Sequence, residues 1–346
     1  MLYDILVIGA GQAGLAMGYY LKQTKLSFLI LDKGSAIGES WKNRYDSLTL
    51  FTPRSYSSLP GLALKGEENI YPTKDEISDY LSLYANTFSL PIQLNTASKR
   101  LDKEEHFILY TTQGEYHCRN VIIATGPFQE PLIPEFSQNL SENILQLHSS
   151  EFRNPSHLRE GITLVVGGGN SGAQIAVELS HNKEVYLSVG HQMRFLPQDI
   201  GNKSIFWWFD KLGIYKANVH SRVGKFIKNQ PDPIFGFALR SQIKRGKIML
   251  KPRVTSADNN QLHFDDGSSV EVSNVVWSTG FKSDYSWINI PSVLDEKGLP
   301  IHQRGVTNIK GLFFLGLVWQ YRRGSALLQG VGMDAKYLVE KLSTNK

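Results

Sequence analysis

The stretch Asp4-Ile5-Leu6-Val7-Ile8-Gly9-Ala10-Gly11-Gln12-Ala13-Gly14 decides the fold. Its apolar run predicts a short buried strand, and the spacing from Gly14 to Gln23 predicts a helix. Phe28-Leu29-Ile30-Leu31 then reads as a second strand. The glycine turn between strand and helix has a physical logic. Gly9 permits the tight turn, Gly11 lets the backbone approach a pyrophosphate, and Gly14 lets the helix pack on the strand. The helix start, at Gln12 and Ala13, offers unpaired N–H groups and the positive end of the helix dipole to phosphates. Asp32, with Lys33 beside it, follows Gly9 by 23 positions at the end of the second strand. A carboxylate there can accept hydrogen bonds from ribose hydroxyls.

The unit recurs 158 positions later, from Gly9 to Gly167. Thr163–Val166 predicts a strand, Gly167-Gly168-Gly169-Asn170-Ser171-Gly172 repeats the turn, and a helix near 171–180 leads to a strand at 184–189. Two further apolar strands end in matching exits, Ala124-Thr125-Gly126 and Ser278-Thr279-Gly280. The expected fold class is therefore α/β, with two Rossmann-like dinucleotide-binding domains of glutathione-reductase-like plan, the second inserted in the first. The expected division is 1–155 for the first part of the first domain, 156–280 for the second domain with a helical insertion at about 200–248, and 281–346 for the return segment. In that return, Gly311–Gly316 reads as a strand and turn, and the spacing from Ser325 to Leu342 predicts a helix.

Counting 23 positions from Gly167 reaches Gly190, followed by His191 and Gln192, so no carboxylate selects for an unphosphorylated ribose. His191, Gln192 and Arg194 could hold either nicotinamide nucleotide, with a slight lean to NADPH over NADH. A nucleophile elbow at Gly169-Asn170-Ser171-Gly172-Ala173 lacks its final glycine and is set aside.

Composition excludes several classes. One cysteine, Cys118, rules out an internal disulfide, a Cys-x-x-Cys redox pair and a Cys-only metal cage. No metal site and no hydrolytic triad are recognisable. No apolar run reaches the roughly 18 residues that span a bilayer, and the first residues show no export signal, so a cytoplasmic address is expected. The net charge is +5, yet Lys203–Arg253 holds twelve Lys/Arg against Asp210 and Asp232. No nucleic-acid-binding signature accompanies that excess. The run Ile205-Phe206-Trp207-Trp208-Phe209 within it suits ordinary packing of a helical subdomain first, and a cleft cap, membrane contact or subunit contact after that.

With these pieces assembled, the chain resembles the flavin-containing monooxygenases of the short bacterial branch, from Asp4 to about Leu342. Gly38-Glu39-Ser40-Trp41, followed by Arg44-Tyr45-Asp46-Ser47-Leu48, is similar to the family segment that wraps the flavin. Tyr71-Pro72, Tyr80-Leu81, Tyr84-Ala85, Gly324-Ser325-Ala326 and Gly330-Val331-Gly332-Met333-Asp334-Ala335 match too. The resemblance implies FAD in the first site and NADPH or NADH in the second. Ser40, Trp41, Arg44, Leu48, Ala124, Thr125, Gly126, Gly316 and Ser325 would stand on the flavin side, and Thr279 and Gly280 at the second exit. The helix expected near Ser325 would steady charge on the reduced flavin.

Two departures bear on chemistry. The family fingerprint around His148 keeps only its back half, His148-Ser149-Ser150-Glu151-Phe152, and His148 reads as a structural residue. Where many members carry a flavin-facing Asn, the segment Leu48–Pro53 presents Phe51, next to Thr52. The implied reaction forms a flavin C4a-hydroperoxide from dioxygen and oxygenates a small soft nucleophile, a thioether or an amine. Without an amide at Phe51 one alternative is an uncoupled NAD(P)H oxidase; a second is a redox sensor that binds both nucleotides with little turnover, with the basic aromatic insertion as its contact surface. A homodimer is expected by analogy.

Overall fold

The computed structural model describes residues 1–344. Two parallel-stranded sheets organise it, each built around one glycine turn. In the first, Leu2–Ile8 pairs in parallel with Phe28–Leu31 on one side and with Gly114–Ile123 on the other. Ile92–Gln93 extends the first edge, and Ser98–Lys103 and Phe107–Thr111 add an antiparallel extension beyond Gly114–Ile123. Leu312–Phe314 returns from the far end of the chain to pair in parallel with Val121–Ile123. The second sheet runs in the order 248–251, 185–188, 163–166, 274–277, 145–148, all parallel. Strands this apolar need cover on both faces, and Leu164, Val165, Val275 and Val276 are fully buried.

The helices seat where the glycine phase demands. Gln12–Leu21 and Asn170–Leu179 follow the two turns, each beginning one or two residues before its expected start. Three short helices, Ile205–Lys211, Arg222–Lys228 and Ala238–Lys244, form the insertion between Val185–Ser188 and Ile248–Lys251 of the second sheet. The closing helix, Leu328–Thr344, packs against Gln12–Leu21.

Two expectations need correction. The expected division at 1–155 places Leu145–His148 in the first unit, but it pairs with Asn274–Trp277 and so belongs to the second sheet. Its Leu-Gln-Leu-His pattern alternates, as suits an edge strand. The spacing from Ser325 to Leu342 places Ser325 at the start of the last helix. That residue lies instead in a separate 3-10 turn, Arg323–Ala326, and the helix starts at Leu328. The Ser325 hydroxyl is consumed there, accepting the N–H groups of Tyr321 and Arg322, each at 3.1 Å. The last two residues of the expected return segment lie outside the described residues.

Candidate functional site

The two glycine turns are built on one plan. Gly9 (φ +109°) and Gly167 (φ +121°) adopt a backbone that L side chains rarely reach. A Cβ on Gly9 would stand 2.5 Å from the Ala124 carbonyl oxygen, and one on Gly167 would stand 2.2 Å from that of Ser278. Each strand exit therefore presses directly on its turn, which explains why the matching exits recur with the turns. The third glycines carry the helices: a Cβ on Gly14 or Gly172 would lie 1.8 or 2.0 Å from the carbonyl oxygen of the first glycine.

The middle glycines differ. Nothing lies within 4 Å of a Cβ on Gly11 or Gly169. Both residues are extended N-caps without a side-chain cap, at the head of ten-residue helices. The first-turn N–H groups thus open onto free space that a Cβ would partly fill. That is the form of a phosphate cradle, and both turns fit a dinucleotide pyrophosphate.

Around the first cradle, Asp32 is oriented by two backbone donors, Ala10 N–H at 2.5 Å and Gly34 N–H at 2.7 Å. Gln12 bridges two distant pieces: it donates to the Ala326 carbonyl at 2.8 Å and accepts from the Trp41 indole at 3.2 Å. Gly316 comes so close to Ala13 that a Cβ would lie 2.9 Å from that methyl. Lys33 and Ser40 are exposed, while Leu48 is buried. Gln129 donates to both the Thr125 hydroxyl and the Gly126 carbonyl.

The exits meet at a junction. Glu130–Pro131 pairs with Phe281–Lys282, and the Thr279 hydroxyl donates to the Leu132 carbonyl. The Arg44 guanidinium stacks over Phe128 and Phe281, 5.5 and 5.3 Å from their centroids, and burial lowers its pKa. His148 is fully buried and held at both ring nitrogens, to Ser150 Oγ at 2.8 Å and to the Gly280 carbonyl at 2.9 Å. Burial depresses its pKa, partly opposed by the Gly280 carbonyl.

Around the second cradle, Asn170 donates to the Pro233 carbonyl at 3.0 Å and accepts from Phe235 N–H at 3.1 Å, fixing the end of the insertion. Ser171 faces Tyr45, whose phenol is pushed up to about 12 by burial. His191 and Gln192 are exposed, and Arg194 donates to Gln230 at 3.3 Å. Sequence reasoning missed Arg253. Its guanidinium donates to the Gly190 carbonyl at 3.3 Å and lies 2.7 Å from where a Gly190 Cβ would stand. It occupies the strand end where a nucleotide-selecting residue acts. The glycine at position 190 was the available signal, because only a residue without a side chain admits an arginine that close.

Phe51 stacks on Phe235 (4.8 Å, 17°) and on Phe206 (6.0 Å, 21°), so the aromatic run of the insertion is brought onto it. Thr52 is buried, its hydroxyl 2.8 Å from that of Ser57. Among the described residues no cluster could hold a metal ion. Cys118 is buried, and burial pushes its thiol up to about 12.

Comparison with known proteins places this geometry. Residues 6–199, more than half of the chain, match the family described as pyridine nucleotide-disulphide oxidoreductase. The chain is 60% identical over 340 residues to an uncharacterized oxidoreductase, CzcO-like, of Geobacillus kaustophilus, covering 98% of each. It is 53% identical over 343 residues to an uncharacterized oxidoreductase, CzcO, of Bacillus subtilis, covering 99% of each. Among solved structures it is similar to a flavin-containing monooxygenase from Stenotrophomonas maltophilia, with 26% identity, a TM-score of 0.85 and 99% of each chain covered.

Proposed function

The chain belongs to the pyridine nucleotide-disulphide oxidoreductase family, and on that premise we propose that it oxygenates a small soft nucleophile, a thioether or an amine, at the expense of NAD(P)H and dioxygen. At the family level it is an NAD(P)H-dependent flavoprotein monooxygenase, by its likeness to the Stenotrophomonas enzyme. The observation that carries the proposal is the pair of open middle glycines, Gly11 and Gly169, each heading an uncapped helix. Two dinucleotides are expected, and the lone buried thiol leaves no cysteine pair to receive their electrons.

FAD suits the first cradle. Gly9, Gly11, Gln12, Ala13 and Gly14 would take its pyrophosphate, Asp32 its ribose, and Trp41 and the turn at Ser325 would lie toward its ring. NADPH or NADH suits the second cradle, at Gly167, Gly169, Asn170, Ser171 and Gly172, with His191, Gln192, Arg194 and Arg253 toward the adenosine end. Residues 1–144 and 281–344 would form the flavin unit, and 145–280 the nicotinamide unit. When bound, the flavin supplies hydride acceptance and oxygen activation. The chain's task is to orient both rings and to keep water out. Phe51, Phe206 and Phe235 serve the second end, closing the cleft with apolar surface. Arg44 holds the connectors together beneath it. The proposed assembly is a cytoplasmic homodimer.

Phe51 supports a second reading. A phenyl ring offers no hydrogen bond to an activated oxygen, so reducing equivalents would leave as hydrogen peroxide and the enzyme would act as an NAD(P)H oxidase. Rapid mixing of the NADPH-reduced protein with oxygen and a thioether separates the two. Sulfoxide formed in step with NADPH consumption supports oxygenation, whereas peroxide alone supports the oxidase. A purified protein that takes up no flavin on reconstitution overturns both.

A further inference from the structure

The segment with the strongest charge bias also exposes much apolar surface. Lys203–Arg253 holds twelve of the 37 Lys/Arg and two of the 32 acids, leaving 25 cations against 30 acids in the rest of the chain. Both local acids are engaged by the body of the protein. Asp210 accepts from the Tyr56 hydroxyl at 3.4 Å and Asp232 from Arg323 at 2.8 Å. From Lys211 to Pro231 there is no acid at all, while Lys211, Lys216, Arg222, Lys225 and Lys228 supply five cations.

The same stretch leaves large apolar side chains in water. Leu212 is 70% exposed, Phe226 65% and Val223 50%. Trp208 precedes Leu212 by four residues, and Val223 precedes Phe226 by three, so each pair shares a helix face. Leu212 and Val223 line one shallow groove together with Ile214 and Ala217, and Lys216 lies on it too. The insertion is therefore two-sided. Phe206 and Phe235 pack inward on Phe51, while Leu212, Val223 and Phe226 leave an exposed apolar face set among unopposed lysines.

We propose that this outer face docks the protein on an anionic lipid surface, with Leu212, Val223 and Phe226 entering the interface and the surrounding cations meeting lipid phosphates. A bilayer fits better than an acidic protein. The charge is of one sign over 21 consecutive positions, with no acid to set a register against a structured partner. The large apolar side chains are left in water among cations, the arrangement that partitions into a headgroup region. Among the described residues no helix is long and apolar enough to cross a membrane, so the contact is peripheral. The docking is independent of the redox reaction.

The test is flotation of the full-length, FAD-reconstituted protein with two vesicle types, phosphatidylcholine alone and phosphatidylcholine with about one third phosphatidylglycerol. The protein floats with the second only, and less at high salt. Lys225→Gln with Lys228→Gln weakens partitioning about 25-fold, at about fivefold per lysine. Leu212→Glu and Phe226→Glu each abolish flotation while retaining flavin content. Leu83→Glu, at an exposed leucine on the helix Lys74–Thr87, leaves flotation unchanged. Failure to float with anionic vesicles at low salt overturns the proposal. So does flotation that survives Leu212→Glu and Phe226→Glu, which would reduce the contact to charge alone. Light scattering that shows the same substitutions dissolving a dimer would instead assign the face to a second copy of the chain.

Discussion

Alanine at Gly169 should separate binding from folding. Gly169 is extended (φ −83°, ψ −177°), and a Cβ there meets no atom within 4 Å. The substitution therefore introduces neither clash nor backbone strain. By narrowing the unfolded ensemble it should stabilise the protein by about 0.4–1 kcal/mol. The methyl nevertheless stands where a phosphate must approach the helix N–H groups. Losing one or two charge-assisted hydrogen bonds costs about 2–4 kcal/mol, or about 30- to 1000-fold in affinity. Gly172→Ala is the opposite case. Its Cβ would lie 2.0 Å from the Gly167 carbonyl oxygen, so the helix cannot seat, and a loss of about 3 kcal/mol or more is expected. Thermal unfolding of both variants, with NADPH titration of the flavin-loaded Gly169→Ala protein, provides the readout. Unimpaired NADPH binding in Gly169→Ala, or a markedly lower melting temperature for it, would refute the assignment of this turn as a phosphate cradle.

Arg253→Ala should raise the KM for NADPH about tenfold and leave NADH unchanged, a modest effect because the guanidinium is exposed and screened; equal losses for both cofactors would remove it from the nucleotide site. His148 has a folded pKa below its ordinary 6.5 through burial. The unfolded chain therefore takes up the proton first, and the stability present above pH 6.5 is lost as pH falls through the lower folded value. Urea unfolding from pH 8 to pH 5 should show that slope, and His148→Gln should flatten it; an unchanged slope would assign the acid sensitivity elsewhere. Phe51→Asn should raise sulfoxide formed per NADPH consumed while lowering stability by about 2–3 kcal/mol, because it breaks the contact with Phe235; a fixed product ratio would dissociate Phe51 from oxygen chemistry.

Features whose parts lie close in the chain were legible in the sequence. Gly9-x-Gly11-x-x-Gly14 and its repeat specify strand, turn and helix by local sterics, and the observed ends differ by one or two residues. Contacts made by sequence-distant partners were not. Arg253 reaches Gly190 from 63 positions away, because Ile248–Lys251 pairs with Val185–Ser188, a neighbour relation that periodicity does not encode. The stack of Phe51 on Phe206 and Phe235 spans 155 and 184 positions. Leu145–His148 escaped because an alternating four-residue edge strand lacks the continuous apolar signature of its buried neighbours. Ser325 differs because the apolar spacing that predicts the helix first registers at Leu328, whereas the buried Ser325 hydroxyl is spent closing a turn.

The contacts between the two units also indicate which part moves. Near the second cradle, the Tyr45 hydroxyl donates to Gln174 at 2.9 Å, and Gln174 donates to the Thr49 carbonyl at 3.0 Å. Ser47 donates to Glu178 at 2.6 Å. Tyr45 is 2% exposed, so breaking the Tyr45–Gln174–Thr49 contacts strands polar atoms away from water, at about 1–3 kcal/mol for each unsatisfied group. The insertion is held to the flavin unit differently. Its segment 214–219 is anchored by Gln329 donating to the Tyr215 hydroxyl at 2.7 Å and by Val219 N–H donating to the Tyr321 carbonyl at 2.8 Å, whereas residues 199–211 are held by Tyr56 with Asp210 and Tyr71 with Asp199, exposed pairs that contribute little because water replaces them. Rotation of one cradle against the other is therefore the costlier motion. Access to the cleft should come from residues 199–211 lifting Phe206 off Phe51, since Phe235 is fixed by Asn170. A covalent cross-link between residues 199–211 and the segment 51–71 would then block turnover, while a cross-link between 45–49 and 170–178 would leave it intact; the reverse outcome would show that the units hinge instead.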